Sequence, residues 1–156
     1  IFIPALTGLG APHWQPNARG AIFGLTRNTS IPDIIKAALD SISFQTFDLI
    51  ECIKKDAKIK VKEIRVDGGM INNPNFLQNL ANVTQVNIIK PNNLETTSLG
   101  VAYLAGLNAG LINNTAQIQK LWKVSKILQP KIQKNIIRKK IQDWKKSVKI
   151  LIKFHS

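Results

Sequence analysis

Residues 60–76 read Lys-Val-Lys-Glu-Ile-Arg-Val-Asp-Gly-Gly-Met-Ile-Asn-Asn-Pro-Asn-Phe, and this stretch decides the fold. Val61, Ile64 and Val66 mark a short strand over Lys60–Val66 that stops at Asp67-Gly68-Gly69. Asn73 and Pro74 then open a helix, Asn73 as its cap and Pro74 at the first helical position. A strand, a glycine turn and a helix in that order begin an α/β layer, where ligands bind beyond the carboxyl ends of strands. Asp67 stands at such an end. Gly68 and Gly69 remove side chains, so backbone can approach a ligand closely. The next helix offers unpaired N–H groups and a positive dipole end, which suit a phosphate. The same residues also make an ordinary glycine-rich turn before a capped helix, and both readings stand at this point. A hairpin does not fit, because Met70–Leu80 does not read as a partner strand.

Upstream, Ser30, Pro32 and Asp33 predict a helix start, and the helix runs to about Lys54. Ile34, Ala38, Ile42, Gln45, Leu49 and Ile53 predict its buried stripe. Ala21–Leu25 predicts a short strand. Residues 1–20 read as loop, broken by Gly8, Gly10, Pro12, Pro16 and Gly20. Downstream, Val86–Ile89 predicts a second strand, closed by Pro91, and Glu95–Gly110 a helix rich in Ala and Gly. Residues 112–131 read as an irregular connector. The last helix, about Ile132–Phe154, carries Ile137, Ile141, Trp144, Val148 and Leu151 at spacings of three and four. The expected class is therefore α/β with some parallel pairing. It divides into 1–30 (loop and strand), 31–111 (α/β core) and 112–156 (connector and basic C-terminal amphipathic helix). Two clear strands are too few for an average sheet. An incomplete sheet, and a first residue other than Met, give the expectation that these residues belong to a longer product.

Of 156 residues, 44% are hydrophobic, enough for a globular core and too many for a disordered chain. A single cysteine, Cys52, excludes a disulfide framework and a multi-cysteine metal site, and fits a reducing compartment. The net charge of +13 is concentrated late: residues 111–156 hold twelve Lys/Arg against one Asp/Glu. Such a tail suits nucleic acid, anionic lipid or an acidic partner, or is simply a solvated face. Arg, the better bidentate phosphate ligand, is scarce there. Lys, Asn and Ile are abundant together, as A/T-rich codons produce. The solvated face is the favoured reading, and no nucleic acid is expected. The uncharged stretch 96–119 has an apolar run only from Leu99 to Ile112, short of the roughly 20 residues of a membrane span. No signal peptide stands out either, so a cytoplasmic location is expected. His13 reads as structural or exposed, His155 and Cys52 as uninvolved in chemistry. No carboxylate pair has metal-site spacing.

Five motifs read together resemble the FGGY carbohydrate kinase family. They are Pro4-Ala-Leu-Thr-Gly-Leu-Gly-Ala-Pro-His-Trp through Arg27, and Gly20-x-Ile22-x-Gly24-Leu25 followed by Asp33-Ile34-x-x-Ala37-Ala38-Leu39-Asp40. Arg65-Val66-Asp67-Gly68-Gly69-Met70, Glu95–Gly106 and Trp144-Lys145-Lys146-Ser147-Val148 complete them. The resemblance implies part of a ribonuclease-H-like, actin-like ATPase domain, the latter portion of the second of two domains that face a cleft. It implies ATP/ADP with Mg²⁺ as cofactor. It assigns nucleotide contacts to Gly69 and Asn73, with Gly68 and Asp67 beside them. Pro74 departs from the family pattern and puts the start of that helix in question. By the same resemblance the Thr7–Pro12 loop favours glycerol as acceptor, so the implied reaction gives glycerol 3-phosphate and ADP. A kinase for another polyol or sugar is the alternative within the class. A non-enzymatic residual fragment or a basic interaction module is the alternative outside it. The family's catalytic aspartate, acceptor-holding residues and phosphate loops precede this region. No catalytic residue and no metal ligand is therefore expected here. A missing N-terminal part is the expected partner, self-association into a homo-oligomer is open, and the chain alone is expected to be inactive.

Overall fold

The computed structural model describes residues 1–155. In chain order the elements are β1 (Phe2–Ile3), β2 (Ala21–Ile22), α1 (Ile31–Ala57), β3 (Glu63–Arg65), a 3-10 turn (Gly69–Asn72), α2 (Pro74–Thr84), β4 (Asn87–Pro91), α3 (Thr96–Asn108), α4 (Thr115–Leu121), β5 (Val124–Leu128) and α5 (Lys134–His155). β3 pairs parallel with β4, with Ile64 opposite Ile88. β5 pairs antiparallel with the other side of β4, with Ile88 opposite Leu128 and a register shift at Lys90/Pro91. β1 and β2 form a separate antiparallel pair. The helix, strand, helix, strand, helix order of the central unit and its parallel pair match the sequence reading.

Four expectations need correction. The connector 112–131 is not irregular, since it holds α4 and β5. β5 lies at the sheet edge with only Leu128 buried, while Val124 and Ile127 face outward. Backbone pairing, not a buried face, holds it, so its side chains carried no alternation to read. Residues 1–20 are not wholly loop, because Phe2–Ile3 pairs with Ala21–Ile22. The strand expected to reach Leu25 ends at Ile22, and the one expected over Lys60–Val66 spans only Glu63–Arg65. Finally, α1 is turned about its axis relative to the expected stripe. Leu49 and Ile53 are exposed, and Ser41, Ser43, Phe44 and Asp48 are buried.

The reason is polar burial with partners. Asn79 Nδ2 donates to Ser43 Oγ at 3.2 Å and to Asp40 Oδ1 at 3.0 Å, joining α1 to α2. Trp144 Nε1 donates to Asp48 Oδ2 at 2.7 Å, and its ring stacks on Phe44 at 5.4 Å between centroids. A buried polar group with a partner is tolerated, so counting apolar residues alone finds the period and misses the phase. α5 behaves as expected: Ile137, Trp144, Val148 and Leu151 are buried and Ile141 is half-buried.

The buried residues form two clusters. Ile3, Leu9, Phe44, Val83, Trp144 and Leu151 belong to one that joins the first loop, α1 and α5. Ile71, Phe76, Leu80, Ile88 and Leu128 belong to the other, between α2 and the sheet. α3 stands apart, with Val101 65% and Leu104 69% exposed. Among the described residues no helix is long and apolar enough to cross a membrane.

Candidate functional site

Val66 N–H donates to the Ile89 carbonyl at 3.2 Å, carrying the β3–β4 pairing one residue past the strand. This fixes Asp67 at the carboxyl end of the sheet. Gly68 follows with φ +85° and ψ 175°, a conformation open in practice only to glycine. Gly69 differs. Its φ lies outside the left-handed range, and a Cβ added there would meet nothing within 4 Å. Backbone geometry therefore requires Gly68, and nothing among the described residues requires Gly69. The absence of a side chain at Gly69 leaves open space over the turn.

The 3-10 turn spans the gap to Asn73, whose N–H donates to the Met70 carbonyl at 3.1 Å. Asn73 Oδ1 accepts from the N–H groups of Asn75 at 3.0 Å and Phe76 at 3.2 Å. The cap thus forms as expected, and Pro74 takes the first helical position without displacing the helix start. With the oxygen committed to the cap, Nδ2 is the free end of this side chain and makes no hydrogen bond among the described residues. Gly69 and Asn73 stand at the two ends of one short turn.

Asp67 has a different place. Its Oδ2 accepts from Thr96 Oγ1, the first residue of α3. The carboxylate ties α3 to the turn and holds the turn's shape. Beside the turn, Lys90 Nζ donates to Asn72 Oδ1 at 3.4 Å, and Arg65, paired with Glu63 at 3.1 Å, lies 4.4 Å over the Trp122 ring.

Asn73 also borders a cavity of about 420 Å³ between α1 and α2, lined by Lys36, Leu39, Asp40, Phe76 and Asn79 among others. Lys36 and Asp40 pair at 2.5 Å. The sequence reading gave no ligand role to Asp40 or Asn79. Polar side chains recurring at Asn75, Asn79 and Asn82, on the helix opened by Asn73, were the available signal. Carboxamides and a carboxylate around a partly apolar pocket suit a planar, hydrogen-bonding ring.

His13 is in neither place. Its Nε2 is buried without a hydrogen bond, 3.5 Å from Asp48 Oδ2 beneath the first loop. Cys52 donates its thiol to Asp56 Oδ2 at 3.3 Å, and this bond raises the thiol above its ordinary 9.0. A thiol so held is a poorer nucleophile. Among the described residues no three His, Cys, Asp or Glu side chains converge as a metal site.

The sequence profile of the FGGY family of carbohydrate kinases, C-terminal domain, matches residues 1–109. Glycerol kinase from Parabacteroides distasonis is 42% identical over 147 residues, which cover 94% of this chain and 30% of that protein. The structure of Plasmodium falciparum glycerol kinase with ADP superposes with a TM-score of 0.86 at 33% identity, over 97% of this chain and 30% of that one. The ligand-bound xylulose kinase of Lactobacillus acidophilus gives 0.73 at 28% identity, over 99% and 29%. The chain thus spans about 30% of the length of the curated relatives it matches. These neighbours carry the ribonuclease-H-like ATPase fold, and the three-stranded sheet is a part of it.

Proposed function

The chain belongs to the FGGY family of carbohydrate kinases, and from that premise we propose that residues 1–156 form the latter part of the family's C-terminal domain and supply one wall of the nucleotide site of an ATP-dependent glycerol kinase. The observation that carries this is the pairing of Gly69, whose missing side chain nothing among the described residues explains, with the free Nδ2 of Asn73. Gly69 lets the nucleotide lie against the backbone of the turn. Asn73 donates to it from Nδ2 while its oxygen holds α2. The cavity between α1 and α2 takes the base, with Asp40 and Asn79 at its edge.

ATP supplies the transferred phosphoryl group, and Mg²⁺ neutralises charge on its phosphates. Among the described residues no three His, Cys, Asp or Glu side chains converge, and the role proposed for this wall is to bind and orient the nucleotide. Phosphoryl transfer is mostly positioning and charge stabilisation, and one wall cannot provide both. Residues 1–156 by themselves are therefore expected to be inactive. Glycerol 3-phosphate made from ATP and glycerol by this purified stretch would overturn that. Glycerol is preferred over xylulose as acceptor because the glycerol kinases are the nearer in sequence of the relatives compared. With ATP as donor, the reaction is placed in the cytoplasm.

The test is calorimetric titration of ADP into the native polypeptide that carries these residues. Gly69→Asp puts a carboxylate into the open space over the turn and should reduce affinity about a hundred-fold or more. Unchanged ADP affinity would refute the assignment.

A further inference from the structure

A cavity of about 230 Å³ lies beside the β5 edge of the sheet, enclosed by the segment that leaves β4, the first two turns of α3 and the link from α4 to β5. It shares no lining residue with the opening beside Asn73. Backbone fixes its walls: Asn92 N–H donates to the Lys123 carbonyl at 2.9 Å, fastening the β4 exit to the α4–β5 link. The nucleotide reading makes no use of this cavity.

Gly100 lines it from within α3, where glycine costs about 1 kcal/mol relative to alanine. Its φ lies outside the left-handed range and a Cβ added there would meet nothing within 4 Å, so nothing among the described residues requires this glycine. The bare backbone keeps the cavity open on the α3 side. Tyr103, one turn on, and Trp122, on the α4–β5 side, supply aromatic walls, and both are half-buried. The polar groups left over are donors. Lys123 is exposed and forms no ion pair among the described residues, and the Tyr103 hydroxyl makes no hydrogen bond among them. Asn93 Oδ1 accepts from the Glu95 N–H at 2.9 Å, which leaves its Nδ2 as the free end. No Asp or Glu lines the cavity. Aromatic walls and unanswered donors suit a planar ring that carries a carboxylate. The volume is below the roughly 300 Å³ at which drug-sized pockets begin, so the ring is single or fused double.

We propose that this cavity binds a small aromatic carboxylate, and that its occupant bears on the Asp67-Gly68-Gly69 turn. The ring lies over Gly100 against Tyr103 and Trp122, and the carboxylate meets Lys123. Two fasteners run from the lining to the turn. Thr96 Oγ1 donates to Asp67 Oδ2, and Arg65, the last residue of β3, lies 4.4 Å over the Trp122 ring. A ligand that favours one arrangement of these contacts favours one arrangement of the turn. It then changes the affinity of whatever the turn holds, by a reciprocal factor. Only the effect on ADP rests on the nucleotide reading.

The experiment titrates indole-3-acetate into the native polypeptide by calorimetry, with indole-3-acetamide as the uncharged probe and cyclohexylacetate as the non-aromatic one. Indole-3-acetate should bind about five-fold more tightly than either, a comparison that needs no variant. Lys123→Gln should erase the preference for the acid over the amide, and Lys126→Gln, on β5 outside the lining, should keep it. Gly100→Leu fills the cavity with a better helix former, so it should weaken indole-3-acetate about ten-fold or more without lowering the melting temperature. No binding of indole-3-acetate below about 10 mM, equal binding of acid and amide, or unchanged binding in Gly100→Leu would each overturn the proposal. The link to the turn is read from the amide NMR signals of Gly68 and Gly69. They should shift when indole-3-acetate is added, and shift less in Thr96→Val, which keeps the cavity's shape and loses the bond to Asp67. Signals that stay in place in the unsubstituted protein would overturn the link. Saturating indole-3-acetate should change ADP affinity about three-fold or more. An absence of ADP binding, with indole-3-acetate binding and the glycine shifts intact, would count against the nucleotide reading alone.

Discussion

The two adjacent glycines of the turn obey different constraints, and substitution separates them. Gly68 sits at φ +85°, so Gly68→Ala strains the backbone and should lower stability by about 1–3 kcal/mol, read as a shift in the urea midpoint. Gly69→Ala meets open space and should leave that midpoint unmoved while weakening ADP binding. Asn73 admits a similar separation. Asn73→Asp keeps an oxygen for the cap, so α2 should hold, but it removes the amide donor and adds a negative charge beside the proposed nucleotide site. ADP affinity should fall at least about ten-fold with little change in melting temperature. Asn73→Ala should lose both, the cap contributing about 1 kcal/mol. If Asn73→Asp binds ADP normally, Asn73 is a cap and nothing else. These residues were legible in the sequence because their signals are local: a strand end, a glycine pair and an Asn-Pro helix start lie within a few positions. Asp40 and Asn79 were not, since only the packing of α1 on α2 makes them neighbours.

Among the elements, α1 carries the sharpest tests. Ser30 donates to Asp33 Oδ2 from its hydroxyl at 2.6 Å and from its backbone N–H at 3.0 Å. Those bonds, the hydroxyl first, hold the Asp33 carboxyl below its ordinary 3.8. A folded pKa lowered in this way contributes stability above the unfolded value, and the contribution is lost as pH falls through the folded value. Asp33→Asn should therefore remove part of the acid-side fall in melting temperature below pH 3.8 and little above it. At the other end of α1's buried face, Trp144→Phe keeps the stack on Phe44 and strands the Asp48 carboxylate without its donor. The expected cost is about 1–3 kcal/mol by denaturant titration, and Asp48→Asn should recover part of it. The period of α1 and the whole apolar stripe of α5 could be read from residue spacing. The phase of α1 could not, because Ser43 and Asp48 go inside with partners supplied by α2 and α5, while Ser41 bonds back to the Ala38 carbonyl of its own helix. β5 escaped notice for the opposite reason, being held by β4's backbone with little of its own surface buried.

At the scale of the molecule, α3 is an apolar helix with little laid against it. Val101 and Leu104 on it, and Leu111 just past its end, are each more than 60% exposed. The outer edge of β3 has no partner strand among the described residues. Apolar surface of this kind marks a contact face or an aggregation hazard. Residues 1–156 purified alone should bind a hydrophobic dye and self-associate with rising concentration in light scattering. Leu104→Lys should reduce both without altering the melting temperature by more than a degree or two. A monomeric, dye-silent chain would mean that α3 needs no cover.

The placement of the three tryptophans has an optical consequence. Trp14 stands 73% exposed on the first loop, Trp122 is half-covered beneath Arg65, and Trp144 is sealed in the core against Phe44. Their emission should therefore resolve into three components. Iodide should extinguish the reddest and leave the bluest untouched. A protein in which Trp14 and Trp144 are replaced by Phe retains one lamp, Trp122, two strands away from Gly68 and tied to β3 through Arg65. Its colour and lifetime then report the arrival of a ligand at the turn, with no dye attached.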